Sequence, residues 1–241
     1  MNYEAVLFDM DGVVIDTHHA VTQFWQKHAA NHGVKLSQKD FEQDIYGCPA
    51  AHTLDAFFPF LDASQRTAIF IDLDSYEANQ TYQAMNGALE LLKALQQHHI
   101  PVALVTSGNK AKVKEVTTQL GLDGFFSAQI TVEDIQRGKP HPDGYLQAAQ
   151  SLQQSPRQCI VFEDAMSGVK AATTAGALCI GVQQSDSMAA QLIKTGAWHV
   201  VPDLAGIGVQ TTQHDGVTTL TLQIDATHHL YLNGATTQFL S

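Results

Sequence analysis

Basic residues are scarce in this sequence: 13 Lys and Arg stand against 24 Asp and Glu, a net charge of −11 with His neutral. A surface that grips a phosphate backbone needs the opposite sign, so a nucleic-acid partner is disfavoured and the acidity reads as ordinary solubility. Cysteine is scarcer still. Cys48, Cys159 and Cys179 cannot all pair, and none has the CxxC spacing or neighbouring His cluster of a zinc site. Cys159 and Cys179 fall inside apolar runs and read as small core residues. No run reaches 18 apolar residues, and the first residues do not combine a basic segment with an apolar one. Neither a membrane span nor a signal peptide is therefore expected, and a reducing cytoplasm is the expected location. Internal repeats and low-complexity segments are also lacking. The 241 residues are ample to bury a core.

What is present is organised around Val6 Leu7 Phe8 Asp9 Met10 Asp11 Gly12 Val13 Val14. The apolar start reads as a buried strand, and it stops at two aspartates and a glycine where the backbone must turn. Residues i and i+2 of a strand share a face, which would place Asp9 and Asp11 about 6 to 7 Å apart. Carboxylates that close repel unless a cation or a shared proton lies between them. The pair is a metal site, an acid/base pair or both; on the dipeptide spacing alone, plain turn formers ahead of Gly12 stand beside these readings.

Further along, Val21, Phe24, Trp25, His28 and Ala29 recur at helical spacing between Thr17 and Gly33, and Phe41, Ile45, Ile69, Leu73, Tyr76 and Gln80 continue helical pattern. Residues 16–85 read as an all-helical insert placed like a lid. From Asn86 helix and strand alternate, the mark of a parallel sheet with crossover helices. Strands are expected at 101–106, 126–130, 160–164, 177–182 and 198–201, with helices between them, including Lys110 to Leu120 stopped by Gly121. Residues 1–15 and 86–208 thus make a doubly wound α/β core. Residues 209–241 break the alternation with period-two runs around Val217–Ile224 and His229–Leu232, and a turn is expected at His214 Asp215 Gly216. An antiparallel hairpin or three-stranded meander follows, its apolar face covered either by the core or by a second copy in a homodimer.

Ligands of open parallel sheets bind beyond the carboxyl ends of the strands. Those ends carry Asp9 and Asp11, Thr106 and Ser107, Lys139, and Glu163 with Asp164. Each has a plain reading taken singly: Thr106 Ser107 Gly108 Asn109 as a capped loop, Lys139 as a solvated lysine, Glu163 and Asp164 as caps of the next helix. Their common address favours phosphoryl transfer, with hard oxygen ligands for Mg²⁺, a cation and a hydroxyl for phosphate oxygens, and a carboxylate nucleophile.

Asp9-x-Asp11-Gly12, the Thr106 Ser107 pair after an apolar strand, Lys139 Pro140 followed by Pro142 Asp143, and Glu163 Asp164 closing a strand together resemble the four motifs of the haloacid dehalogenase-like superfamily. The helical insert is similar to the cap of its phosphatase and β-phosphoglucomutase-like branch. The likeness spans about residues 3–205 and leaves the tail outside.

The resemblance implies that Asp9 is the nucleophile and takes the phosphoryl group as an aspartyl phosphate. Asp11 would protonate the leaving oxygen and then activate water. Thr106 and the Ser107 amide would hold phosphate oxygens, with Lys139 neutralising them and tethering Asp9. Mg²⁺ would sit on Asp9, the Asp11 carbonyl and Asp164, with Glu163 direct or through water. Thr17, Gly47, His52 and Asn109 are the positions expected to face the substrate around the cap. Dehalogenating members lack the second aspartate, so phosphate chemistry is expected here. Mutases of the branch carry an arginine just after the glycine of the cap loop, which here reads Gly47 Cys48 Pro49 Ala50 Ala51, and a histidine where this sequence has Val21. Both departures favour hydrolysis of a small phosphorylated metabolite, of sugar or polyol phosphate class. A mutase, and a non-catalytic binding or assembly module using the C-terminal strands, are the rival expectations.

Overall fold

The computed structural model describes residues 2–214 and 217–233. Six parallel strands form the central sheet in the order β3-β2-β1-β4-β5-β6. These are β1 (Ala5–Phe8), β2 (Val102–Val105), β3 (Ala128–Ile130), β4 (Cys159–Glu163), β5 (Leu178–Val182) and β6 (His199–Val201). Alternate residues of the central strands enter opposite cores, as the period of two requires. Val6, Phe8, Leu104, Phe162 and Ile180 join one buried cluster, whereas Leu7, Ala103, Val105, Val161 and Cys179 join the other.

Helices cover both faces. Helix α5 (Ala88–Gln97) and α6 (Lys110–Leu120) put Leu92, Leu95, Val113 and Val116 into the first cluster. Helices α7 (Asp143–Ser151), α8 (Met166–Ala175) and α9 (Asp186–Thr195) put Tyr145, Ala148, Val169, Ala172 and Leu192 into the second. The doubly wound α/β expectation holds. Its strand order reverses direction between β1 and β4, parallel neighbours that pair in register Phe8↔Phe162, so a crevice opens where those two strands end.

Between β1 and α5 the named elements are all helical: α1 (His18–Asn31), α2 (Gln38–Asp40), a π-helical turn at Phe41–Ile45, α3 (Ala50–Phe57) and α4 (Ala63–Ala78). They bury their own cluster of Phe24, Trp25, Phe41, Leu54, Phe58 and Ile69. The segment Phe41–Ile45 was expected to be ordinary helix from a 3.6-residue spacing. Instead the Tyr46 amide donates to the Phe41 carbonyl at 2.9 Å, an i→i+5 bond that admits an extra residue per turn while both Phe41 and Ile45 stay buried.

The C-terminal strands β7 (Gly208–His214), β8 (Val217–Gln223) and β9 (His229–Leu232) form a separate antiparallel sheet. The three-stranded alternative is the one adopted; most of the turn expected at 214–216, and all of 234–241, lie outside the described residues. Leu222, Ile224, Leu230 and Leu232 are buried in the same cluster as Val6 and Phe8. Tyr3 fastens the sheet, donating its amide to the Tyr231 carbonyl at 2.9 Å and accepting from the Asn233 amide at 2.8 Å. The chain's own core covers the apolar face, so burial alone calls for no second copy.

Candidate active site

Strand β1 ends at Phe8, immediately before the first of the two aspartates. The Asp9 amide still donates to the Phe162 carbonyl at 3.0 Å, which fixes Asp9 beside the end of β4. Gly12 turns the chain with φ +74°, a region that favours glycine. A Cβ there would also lie 2.1 Å from Asp164 Oδ2. The bare backbone of Gly12 therefore lets the first and fourth motifs close on each other.

Behind that junction is a buried network. Lys139 Nζ donates to Asp9 Oδ1, to Glu163 Oε1 at 2.6 Å and to the Val105 carbonyl at 3.2 Å. Tyr145 gives its hydroxyl proton to Glu163 Oε1 at 2.7 Å, and Glu163 Oε2 accepts from the amides of Asp164 and Ala165. Helix α8 begins so close that a Cβ on Gly168 would lie 1.7 Å from Glu163 Oε1. Burial pushes Asp9 well above the usual carboxylate range; Lys139 opposes the shift, while Glu163 and Asp164 reinforce it. Burial acts to lower Lys139, but Asp9 and Glu163 outweigh it and raise the ammonium above its ordinary value. Burial likewise keeps the Tyr145 phenol protonated.

Two polar atoms in this buried region have no hydrogen-bond partner, Asp9 Oδ2 and Asp164 Oδ1. An orphaned buried carboxylate oxygen is costly unless something cationic meets it. Oxygens of Asp9, Glu163 and Asp164 lie within 4.8 Å of one another, and Lys139 supplies one positive charge against the three. A divalent cation with a preference for oxygen fits both the donor set and the charge. Asp9 and Asp164 have the free oxygens to hold it, whereas both oxygens of Glu163 are already engaged.

The second aspartate is held separately. Asp11 Oδ1 accepts from the Thr17 hydroxyl at 2.6 Å and from Lys112 Nζ at 2.8 Å. Burial acts to raise Asp11, but the Lys112 charge and the hydrogen bonds from Lys112 and Thr17 outweigh it and lower its pKa. Lys112, on α6, also meets Glu77 of α4 at 3.0 Å, and the two carboxylates more than offset the effect of its burial. Glu77 itself is pushed up by burial in spite of Lys112.

A cavity of about 340 Å³ lies between these strand ends and the helical insert. Asp9, Asp11, Ser107, Asn109 and Asp164 line it from the sheet side, Thr17 and Gly47 from the insert. Thr106, Lys139 and Glu163 are buried behind its wall. Thr106 Oγ1 accepts from the Gly108 amide at 3.0 Å, and Ser107 donates its hydroxyl to the Gly47 carbonyl at 2.8 Å, joining the second motif to the cap loop. Asn109 caps α6, accepting from the Lys112 amide at 2.8 Å, and reaches Asp74 of α4 at 2.9 Å. His52 is not among the residues lining the cavity; on α3 it pairs with Asp44 of the π-helical turn at 3.5 Å.

The sequence did not single out Lys112, Glu77, Tyr145 or His18 as site residues. His18 lines the cavity, with Nε2 at 2.7 Å from Asp164 Oδ2 and its ring stacked on Tyr46 at 4.7 Å. Burial acts to lower His18, but the Asp164 hydrogen bond and charge prevail and raise it. A signal for Lys112 was there: it lies one residue before Val113 and four before Val116, on the buried stripe of its helix. Phe24, Trp25, Phe70, Leu73 and Tyr76 are among the insert's apolar lining.

The strand ends of a doubly wound sheet thus hold a carboxylate cluster and a buried lysine, with a helical insert across the cavity from them. Comparison with known proteins gives the family. Residues 3–176 match the model described as haloacid dehalogenase-like hydrolase. Hexitol phosphatase A of Escherichia coli (strain K12) is 36% identical over 186 residues, covering 76% of this chain and 84% of that protein. Validoxylamine A 7'-phosphate phosphatase of Streptomyces hygroscopicus subsp. limoneus is 33% identical over 183 residues, covering 75% and 85%. The crystal structure of β-phosphoglucomutase from Clostridium difficile superposes with a TM-score of 0.71 at 24% identity, over 84% of this chain and 92% of that one, a likeness of fold. The chain belongs to the haloacid dehalogenase-like hydrolase family.

Proposed function

We propose that this hydrolase is a Mg²⁺-dependent phosphatase of a small phosphorylated metabolite, of sugar or polyol phosphate class, working through an aspartyl phosphate. The observation that carries the reading is the pair of orphaned oxygens on Asp9 and Asp164 beside Lys139, at the floor of the capped cavity. The phosphatase names of two relatives that each align with three quarters of the chain support the reaction class.

Asp9 and Asp164 would hold the cation, which when bound supplies charge that draws the phosphoryl oxygens toward an anionic nucleophile. An Asp9 oxygen forms the new bond to phosphorus as the ester P–O bond breaks; Asp11, ionised beside Lys112 and Thr17 in the free protein, would take up a proton as the anionic phosphate ester enters and pass it to the departing alkoxide. Asp11, now a carboxylate, takes a proton from water as the water oxygen attacks phosphorus. The bond from phosphorus to Asp9 breaks, releasing inorganic phosphate. Lys139 keeps Asp9 aimed through Oδ1 and contributes its charge from behind the wall, since its three donors already serve protein acceptors. Thr106, whose hydroxyl accepts but does not donate to protein, and the Ser107 amide would hold the transferred oxygens.

Residues 16–85 act as the cap and 1–15 with 86–208 as the core. The cavity's lining includes Pro49, Ala50 and Ala51 and no arginine, so it offers no fork for a second phosphate, and hydrolysis is favoured over intramolecular transfer. Phosphate release from a panel of sugar, polyol and nucleotide monophosphates, with Mg²⁺ and with EDTA, tests the reading. Turnover requires Mg²⁺ and falls by several orders of magnitude in Asp9→Asn. Conversion of a sugar bisphosphate faster than any phosphate release would replace it with the mutase.

A further inference from the structure

A second cluster of metal-ligating side chains lies outside the capped cavity, where the parallel sheet meets the C-terminal one. His199 comes from β6, and the loop between β8 and β9 supplies Asp225 and His228. Asp225 Oδ2 faces both imidazoles, at 2.8 Å from His199 Nε2 and 2.9 Å from His228 Nδ1. The two rings stack with centroids 4.2 Å apart, and one donor atom of each residue lies within 4.8 Å of the other two.

The cluster is held in place independently of any ion. Asp225 Oδ1 accepts from the amides of Thr227 at 2.7 Å and His228 at 2.8 Å, and from the Thr227 hydroxyl at 2.9 Å. Trp198 packs edge-on against the His228 ring, with centroids 5.5 Å apart. Outer contacts of this kind orient a carboxylate and an imidazole as ligands. The three side chains are 25% to 40% exposed, which leaves an entry path and room for water in the remaining positions.

We propose that His199, Asp225 and His228 form a binding site for a borderline divalent transition cation, zinc above all, which clasps the C-terminal sheet to the last strand of the core. Two imidazole nitrogens and one carboxylate oxygen suit zinc, whereas the all-oxygen set of Asp9 and Asp164 suits a hard cation. Ligand atoms around a tetrahedral zinc with bonds of about 2.0 Å stand about 3.3 Å apart, so the two spacings from Asp225 Oδ2 to the imidazoles need open by only about half an ångström, and the two imidazole nitrogens start within 4.8 Å of each other. On binding, each imidazole presents the lone pair of the nitrogen now facing Asp225 and keeps its proton on the other.

Zinc retained by the full chain after equilibrium dialysis against saturating Mg²⁺ decides the question, together with the melting temperature with and without zinc. The wild type holds one zinc equivalent more than His228→Ala or His199→Ala. Its apparent affinity at this site falls about tenfold or more in Asp225→Asn, which keeps an oxygen acceptor for the Thr227 amide. Zinc raises the wild-type melting temperature by more than that of any of the three variants. Equal zinc content and equal thermal shifts in the wild type and the variants would overturn the proposal and leave a hydrogen-bonded cluster. Mg²⁺-dependent phosphate release unchanged in the variants reports that they fold, and Asp225→Asn with His199→Ala decides if His228→Ala does not.

Discussion

Two lysines in this molecule each stand between two carboxylates, and the settings differ. Lys139 joins Asp9 to Glu163, and all three are buried at the ends of core strands or in the loop beneath them. Lys112 joins Asp11 to Glu77, and its partners belong to different layers, the strand end below and helix α4 of the insert above. Asp11 and Glu77 keep about a fifth of their side-chain surface in contact with solvent, whereas Asp9 and Glu163 keep almost none. One cation therefore serves as a fixed part of the core. The other is a polar contact between two layers, at the edge of the cavity that separates them.

Removing the fixed cation gives the largest expected effect. Lys139→Met leaves Asp9 and Glu163 facing each other without a counter-charge, and breaking a buried pair in this way costs about 3 to 5 kcal/mol. Thermal or denaturant unfolding measures that loss, and phosphate release falls at least a hundredfold because Asp9 loses its tether. A variant as stable as the wild type would mean that the core tolerates the two carboxylates by sharing a proton.

The bridging cation should matter less to stability and in a way that depends on pH. Lys112→Met is expected to cost roughly 1 to 3 kcal/mol, since solvent reaches the partners it leaves behind. Asp11 has a lowered folded-state pKa, so its contribution is present above the unfolded value near 4 and is lost as pH falls through the folded one. Lys112 has a raised folded-state pKa, so its contribution is present below the unfolded value near 10 and is lost as pH rises through the folded one. The stability difference between wild type and variant is therefore widest around neutral pH, shrinking as pH falls through the carboxylate range and as it rises past about 10. A difference that persists unchanged at pH 3 would assign it to lost packing of the lysine stem. Glu77→Gln keeps the shape of the contact and removes one charge. A smaller loss of stability and a few-fold change in kcat are expected, read from unfolding and from phosphate release on the same substrate.

The two lysines also show what could be read from the chain before its structure. Lys139 was visible because it follows a strand and precedes Pro140, at a strand end where acids and hydroxyls converge. Lys112 sits in the series Lys110, Lys112 and Lys114 on one amphipathic helix. Lys110 and Lys114 turn out to be exposed partners of Asp134 and Asp123, and residue type gave no reason to separate the middle lysine from them. Only its place on the stripe of Val116 marked it, and a lysine on such a stripe commonly extends its stem along the core and its charge into water. The parallel sheet was legible for the opposite reason, since apolar runs of four or five residues ending in polar ones have few other readings. The π-helical turn at Phe41–Ile45 was not, because its apolar residues at i and i+4 match an ordinary helix.

The smallest effect concerns His52, and it sharpens the same contrast between layers. Its position five residues after Gly47 in the cap loop made it a candidate for the substrate pocket. The structure carries it onto the far arc of α3, where it pairs with Asp44 and both side chains are more than two-fifths exposed. An exposed pair of that kind contributes about 0 to 1 kcal/mol, so His52→Ala should melt close to the wild type and keep kcat/KM within about twofold on the best substrate of the panel. His18→Ala, by contrast, removes a ring that touches Asp164 and lines the cavity, and its kcat/KM should fall well beyond that range. If the two substitutions exchanged places in the assay, the insert would have to reach the strand ends by a different face of α3. The contact between Gly47 and Ser107 would then not describe the catalytic arrangement of the layers.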